Sequence, residues 1–345
     1  MDIDSLEFGI DTFGDVTAAP DGTLLPHELV VRNVVDEGVL ADQVGLDAIG
    51  IGEHHRDDFA VSSPEMVLAA IGARTERIKL ASAVTVLSSD DPVRVWERFS
   101  TLDAISAGRA EIVVGRGSFI ESFPLFGYDL QDYEALFEEK LAMFAQLIQG
   151  GVQNWEGKLT QSLENVELFP TMDRTLKTWV AVGGSPQSVV RAASHGLPLM
   201  LAIIGGPTAR FAPFAELHRR ALEEMGKEPQ PIGYHSYGHV APTDEEALEQ
   251  LYPAWLEQNR RIGGERGWGN MGREHFDQEA AYGSMATGAP ESVARKIADG
   301  MKALGATRFH LKVSAGRLSH EAIMRSIELY GTEVVPLVKD MLSAS

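Results

Sequence analysis

Three short clusters in this sequence gather side chains that do chemistry: Glu53-His54-His55, Gly115-Arg116-Gly117 and Gly183-Gly184-Ser185. An imidazole takes or gives a proton near neutral pH, and a neighbouring carboxylate can orient it. Adjacent residues of an extended segment point to opposite faces. One of the two histidines is therefore expected to face a cavity while the other packs behind it with Glu53. A purely structural His–carboxylate pair at a strand end fits the same tripeptide. With Asp57 and Asp58 nearby, these are also metal-ligand residue types. Ligands on one strand normally alternate so as to share a cavity, and adjacent histidines do not, so no metal is expected.

The second cluster sets a guanidinium between two glycines, which lets backbone approach a ligand while the arginine grips an anion. In a chain this acidic, Arg116 needs either a carboxylate partner or a bound phosphate. In the third cluster Gly183-Gly184 reads as a tight turn, Ser185 as a helix N-cap and Pro186 as the first helical residue. Free N–H groups and the positive end of the helix dipole then suit a phosphate. Many β-to-α turns look like this, and Thr287-Gly288-Ala289-Pro290-Glu291-Ser292-Val293 is one. Phe119, Phe123, Phe126, Tyr128 and Trp268 fit core or lid packing at least as well as ring stacking. No strand–GxGxxG–helix, P-loop or Gly-x-Ser-x-Gly pattern occurs, which leaves a Rossmann site, a nucleotide P-loop and an α/β-hydrolase nucleophile unsupported.

The elements that must hold these clusters alternate along the chain. Apolar, β-branched runs at 6–11, 46–52, 78–87, 110–114, 178–182, 198–204, 232–240 and 308–313 read as strands. Each is followed by an amphipathic stretch: 28–44, 63–75, 92–105, 133–148, from Pro186, 209–225, from Thr243 and from Ser319. Thr243 with Glu246 three residues on forms a capping box. Eight such pairs predict an α/β fold, a (β/α)8 TIM barrel in one domain spanning 1–345; an open doubly wound sheet is the alternative. Residues 150–174 read as a small surface hairpin. Residues 263–288 lack clean periodicity and read as a lid-like insertion before the last strand.

Lys and Arg number 30 against 50 Asp and Glu, a net charge of -20, which disfavours nucleic acid and anionic membrane as partners. There are 0 Cys, so disulfides, thiolate metal sites and a cysteine nucleophile are excluded and a reducing cytoplasm is expected. The stretch from Met1 to Asp11 lacks the basic and apolar regions of a secretion signal, and no apolar run is long enough to cross a membrane.

Taken in order, several segments resemble the bacterial luciferase-like flavin monooxygenases. They are Gly52-Glu53-His54-His55, Lys79-Leu80-Ala81-Ser82-Ala83-Val84, Asp91-Pro92-Val93-Arg94 with Glu97, and Ser106-Ala107-Gly108-Arg109-Ala110-Glu111. Gly115-Arg116-Gly117 running to Leu125-Phe126-Gly127, Gly183-Gly184-Ser185-Pro186, and Thr287-Gly288-Ala289-Pro290-Glu291 complete the set.

The resemblance implies a barrel that holds reduced FMN, or its deazaflavin relative F420, at the strand C-termini. It implies oxygen as co-substrate, a small organic substrate, a separate flavin reductase as electron source, and a homodimer formed near 64–74. His54 matches the histidine that acts near the reactive flavin carbon, supported by His55 and Glu53. The cofactor-binding positions implied are Ala83, Val84, Glu97, Arg116, Gly117, Phe119, Gly183, Gly184, Ser185 and Ser188. Among these, Ala83-Val84 matches a bend often built on a non-prolyl cis peptide, and Arg116, Ser185 and Ser188 match phosphate positions. Gly115 and Gly184 depart from the light-emitting subunit, which has a cysteine and a glutamate there, so light emission is not implied. Hydride transfer by FMN or F420 without oxygen, and a flavin-binding protein without turnover, remain as alternatives.

Overall fold

The computed structural model describes residues 2–19, 21–117, 119–267 and 271–344, without the Arg266 side chain. Ser118 and the Trp268-Gly269-Asn270 tip of the expected lid lie outside the described residues.

Eight parallel strands form the barrel: β1 Glu7–Thr12, β2 Ala48–Ile51, β3 Lys79–Ser82, β4 Ala110–Gly115, β5 Lys177–Val182, β6 Leu199–Ala202, β7 Ile232–Val240 and β8 Arg308–Lys312. Each pairs with the next, and β8 pairs back onto β1 with Phe8 opposite Phe309, so the sheet closes and the open doubly wound alternative is excluded. Strand alternation sorts the side chains. Phe8, Ile10, Ile49, Ile51, Leu80, Ile112 and Val114 are buried in the main apolar core between barrel and helices. Burying each such side chain contributes roughly 1.5–3 kcal/mol over leaving it exposed.

The inner face is polar at its N-terminal end. Arg308 donates to Glu111 at 2.5 Å and lies over the Trp179 ring at 4.5 Å, while Trp179 Nε1 donates to Glu111 at 3.0 Å. Burial pushes the Glu111 carboxyl up, but Arg308, Lys177 and Lys79 outweigh it and hold it down at about 2. This plug fills the floor, leaving the C-terminal end for a site.

Among the described residues the α-helices of nine residues or more are α1 His27–Gln43, α2 Pro64–Gly72, α3 Pro92–Ile105, α4 Tyr133–Leu147, α5 Pro186–Ser194, α6 Ala212–Glu224, α7 Asp244–Arg266, α8 Arg273–Tyr282, α9 Pro290–Leu304, α10 His320–Leu329 and α11 Val335–Ser343. As expected, Val152–Trp155 and Leu163–Glu167 pair into an antiparallel hairpin. The reading of 263–288 changes. The Thr243-capped helix runs on to Arg266, α8 follows, and Ala286–Gly288 extends the sheet beside β7. Helices α7 and α8 are thus an insertion, joined through Leu251, Trp255, Phe276 and Met285, and α9 is the outer helix that follows β7. Phe276 is the buried residue of α8, too few to give an apolar stripe a sequence pattern can reveal.

Candidate active site

Glu53, His54 and His55 lie just past β2, and their side chains diverge. Glu53 is buried, with one carboxylate oxygen accepting from His55 Nε2 and the other from the Val86 N–H, each at 3.0 Å. The His55 ring meets Phe126 edge-on at 5.1 Å. This pair is the strut of the loop. His54 turns the other way, into a cage of Phe59, Phe13 and Phe119 at ring distances of 4.2, 5.1 and 5.2 Å. Its Nε2 is buried without a hydrogen bond. Burial pushes the imidazole down to about 3, against the pull of Asp15, so the ring is neutral at neutral pH. Proton exchange near neutrality, expected of His54 from residue type, does not suit this environment. A neutral ring that packs and offers one nitrogen does.

His54 borders a cavity of about 320 Å³ at the C-terminal ends of the strands. One wall is Ala83 and Val84, joined by a cis peptide bond. Packed against it is Gly115, where an added Cβ would come within 2.8 Å of Val84 Cγ2. Arg116, Gly117, Phe119 and Gly183 continue the lining. A second chamber of about 550 Å³ beneath α7 and α8 shares Gly183, Ile204, Tyr237 and Ile262 with the first.

Residues 7–308 match the family model of luciferase-like monooxygenases. The chain belongs to that family. It is 27% identical over 229 residues to an alkanal monooxygenase alpha chain of Photorhabdus luminescens, a match covering 64% of this chain and 60% of that one. Among solved structures it is similar to the oxygenating constituent of 3,6-diketocamphane monooxygenase from Pseudomonas putida, in complex with FMN (TM-score 0.77, 18% identity, 96% of this chain and 98% of that one). It is also similar to a coenzyme F420-dependent tetrahydromethanopterin reductase from Methanopyrus kandleri (TM-score 0.72, 17% identity, 96% and 99%). Both structures share the barrel.

In this member of the luciferase-like family, residues suited to an anion lie near Gly183. Ser185 caps α5, its hydroxyl accepting from the Ser188 N–H at 3.4 Å. Gly184 there has φ +116°, which favours glycine. Arg116 and Arg191 both pair with Glu134, Arg191 at 3.3 Å, so one carboxylate bridges two guanidiniums. Arg191 Nη1 is buried and makes no hydrogen bond. A guanidinium N–H left dry is costly, and a phosphate oxygen would satisfy it.

Arg191 is absent from the positions read off the sequence; its signal was its place one turn beyond Ser188 on α5. Glu97 does not join the site. It sits on α3, 39% exposed and paired with Arg94 at 3.3 Å, because that helix turns its other face to the core. Tyr128, Phe123 and Phe126 pack around the loop after β4, Tyr128 under the Lys140 ammonium at 3.9 Å.

Sequence reading also passed over the polar floor of the cavity. His235 and Tyr237 from β7, and Lys312 from β8, line it. Lys312 is buried against Asp15 at 3.3 Å, and Asp11 holds both His235 and His310 at 2.8 Å. Burial lifts Asp11, yet the two imidazoles hold its carboxyl well below the ordinary range, so it is an anion. The visible signal was alternation, since 235/237 and 310/312 are polar i, i+2 pairs within apolar strands.

Proposed function

We propose that the protein is an FMN-dependent monooxygenase, acting with reduced flavin from a separate reductase and molecular oxygen on a small organic substrate. The observation that carries this is a cavity walled by Ala83–Val84 and lined by Arg116 and Gly183, with the α5 N-cap Ser185 two residues past Gly183 and Arg191 of that helix sharing Glu134 with Arg116. FMN has a single phosphate to place in such a corner and a flat ring to lay against such a wall. When bound, the flavin supplies the oxygen chemistry.

The chain's own residues do the rest. Arg116, Arg191, Ser185 and Ser188 fix the phosphate. Gly115, packed against Val84, leaves that side chain room to lie back from the cavity. Phe13, Phe59 and Phe119 keep water from His54, whose neutral ring offers a hydrogen bond without bringing charge. The second chamber gives a substrate a place of its own, which favours turnover over storage of flavin.

The similarity to an F420-dependent reductase keeps hydride transfer as the second reading. Equilibrium binding of FMN, riboflavin and F420 in parallel tests the choice. FMN is expected to bind more tightly than riboflavin by the strength of the phosphate corner, and F420 binding tighter than FMN would overturn it. A homodimer through α2, where Met66 is 74% exposed, completes the proposal and is read by light scattering.

A further inference from the structure

The cavity presents a second imidazole opposite His54, and its setting is different. His235 Nδ1 lies 2.8 Å from Asp11 Oδ2. An ionised carboxylate only accepts, so Nδ1 carries the hydrogen, and in the neutral ring Nε2 then holds the lone pair. His235 lines the cavity, its side chain 12% exposed, with Nδ1 turned back to Asp11. Asp11 is itself fixed, since His310 donates to its other oxygen at 2.8 Å. An added Cβ at Gly50 would fall 2.1 Å from Asp11 Oδ1, so only glycine there lets the carboxylate sit where it does.

Apart from His54, whose Nε2 is buried without a hydrogen bond, the charged groups of the lining are engaged. Glu53 serves His55 and Val86, Arg116 serves Glu134, Lys312 serves Asp15 and Ser314, and Gln258 donates to Asp15 at 2.8 Å. Around these the walls are Phe13, Phe59, Phe119, Val84, Ile204 and Ile262. The charged and titratable groups around the Asp11–His235 pair are Asp15 from the loop after β1, His310 and Lys312 from β8, and His54.

A largely apolar chamber into which a carboxylate-oriented imidazole faces suits a ring compound with a weakly acidic hydroxyl. We propose that the Asp11–His235 pair is a proton-transfer dyad of this site and that its substrate is a phenol or an equally acidic enol. The inference rests on the flavin reading above and names the substrate class for it. The substrate O–H bond breaks, its proton forms the Nε2–H bond, and the electron pair stays on oxygen. Asp11 stabilises the imidazolium that results, and the ring gains electron density toward an electrophilic oxygen donor. The proton returns to product or solvent as the cavity empties. His235 would touch the substrate; Asp11 is a positioning residue.

4-Nitrophenol, whose anion is yellow, tests this by absorbance titration on the purified protein, with and without FMN. Wild type is expected to bind it as phenolate at a pH where the free compound is largely neutral. His235→Gln is expected to lower the bound phenolate fraction about tenfold or more. Asp11→Asn keeps the imidazole but frees its tautomer, and is expected to lose phenolate in step. If either variant fails to fold, His235→Asn and the wild-type titration midpoint still decide. An unshifted midpoint in wild type, an unchanged phenolate fraction in His235→Gln, or no binding would overturn the proposal. FMN fluorescence quenching is read separately. Phenolate without FMN binding removes the flavin reading and leaves the dyad; FMN binding without phenolate does the reverse.

Discussion

Arg56 and Glu265, 209 residues apart, form a two-bond ion pair: Nη1 to Oε2 and Nη2 to Oε1, both 2.8 Å. The pair ties the loop that carries His54 to the last turn of α7, and so couples the cavity wall to the inserted helices. Arg56 is nearly buried, also donates to Asp58 at 2.9 Å and to Glu121 at 2.6 Å, and spreads over the Phe119 ring at 4.5 Å. Glu265 is 45% exposed, so solvent screens the pair and its contribution is at most about 1 kcal/mol. Glu265→Gln should therefore lower Tm by no more than about 3 °C. The local effect should be larger: faster amide exchange across 257–267 and a raised KM. Unchanged exchange there would show that α7 is held by its apolar contacts alone.

Removing Arg116 or Arg191 should weaken FMN and spare riboflavin. Charge-assisted hydrogen bonds contribute about 1.5–3 kcal/mol each, so each Arg→Ala change should raise the FMN Kd roughly 10- to 100-fold. Glu134→Gln should do the opposite, because its carboxylate bridges both guanidiniums and would repel a phosphate. Calorimetric titration with the two flavins separates these outcomes, and equal losses for both would remove the phosphate corner.

His54 makes stability depend on pH in a definite direction. Its folded-state pKa, about 3, is depressed from 6.5, so between those values the unfolded chain binds the extra proton. Stability is thus fully present above about pH 6.5 and falls on acidification, by up to roughly 1.4 kcal/mol per pH unit from this group. Urea unfolding between about pH 7 and about pH 5 should show a shallower decline for His54→Gln than for wild type. Parallel slopes would mean that the cage admits water.

Gly115→Ala should damage the cavity more than the fold. The new Cβ would fall 2.8 Å from Val84 Cγ2 and must push that side chain toward the space assigned to the flavin ring. Overpacking of this kind typically costs about 1–3 kcal/mol. Flavin binding should fall for riboflavin and FMN alike, the reverse of the arginine pattern.

Sequence reading recovered the barrel because outward-facing residues such as Ile49, Ile51, Ile112 and Val114 must be apolar, which makes each strand a visible run. It also marked the turns that carry Arg116 and Ser185, since glycines and a Ser-Pro cap are local signals. The floor was harder. Asp11, His235, His310 and Lys312 come from three strands and meet only when the sheet closes, so the polar residues of each strand do not reveal their partners locally. Glu97 shows the converse, a residue in a recognisable segment whose helix turns it outward. The insertion was legible only in part, as 263–288, and its helices were not, because Gly263, Gly264 and Gly267 interrupt the pattern and α8 buries little more than Phe276.

The most direct measurement is anaerobic titration of the protein with photoreduced FMN, followed by mixing with aerated buffer in a stopped-flow spectrophotometer. The FMN-dependent reading predicts saturable binding of reduced FMN, and a reoxidation course that differs from that of free FMN and changes in Arg116→Ala. Reduced FMN that stays free in the presence of excess protein, or reoxidises as it does in buffer alone, would contradict it.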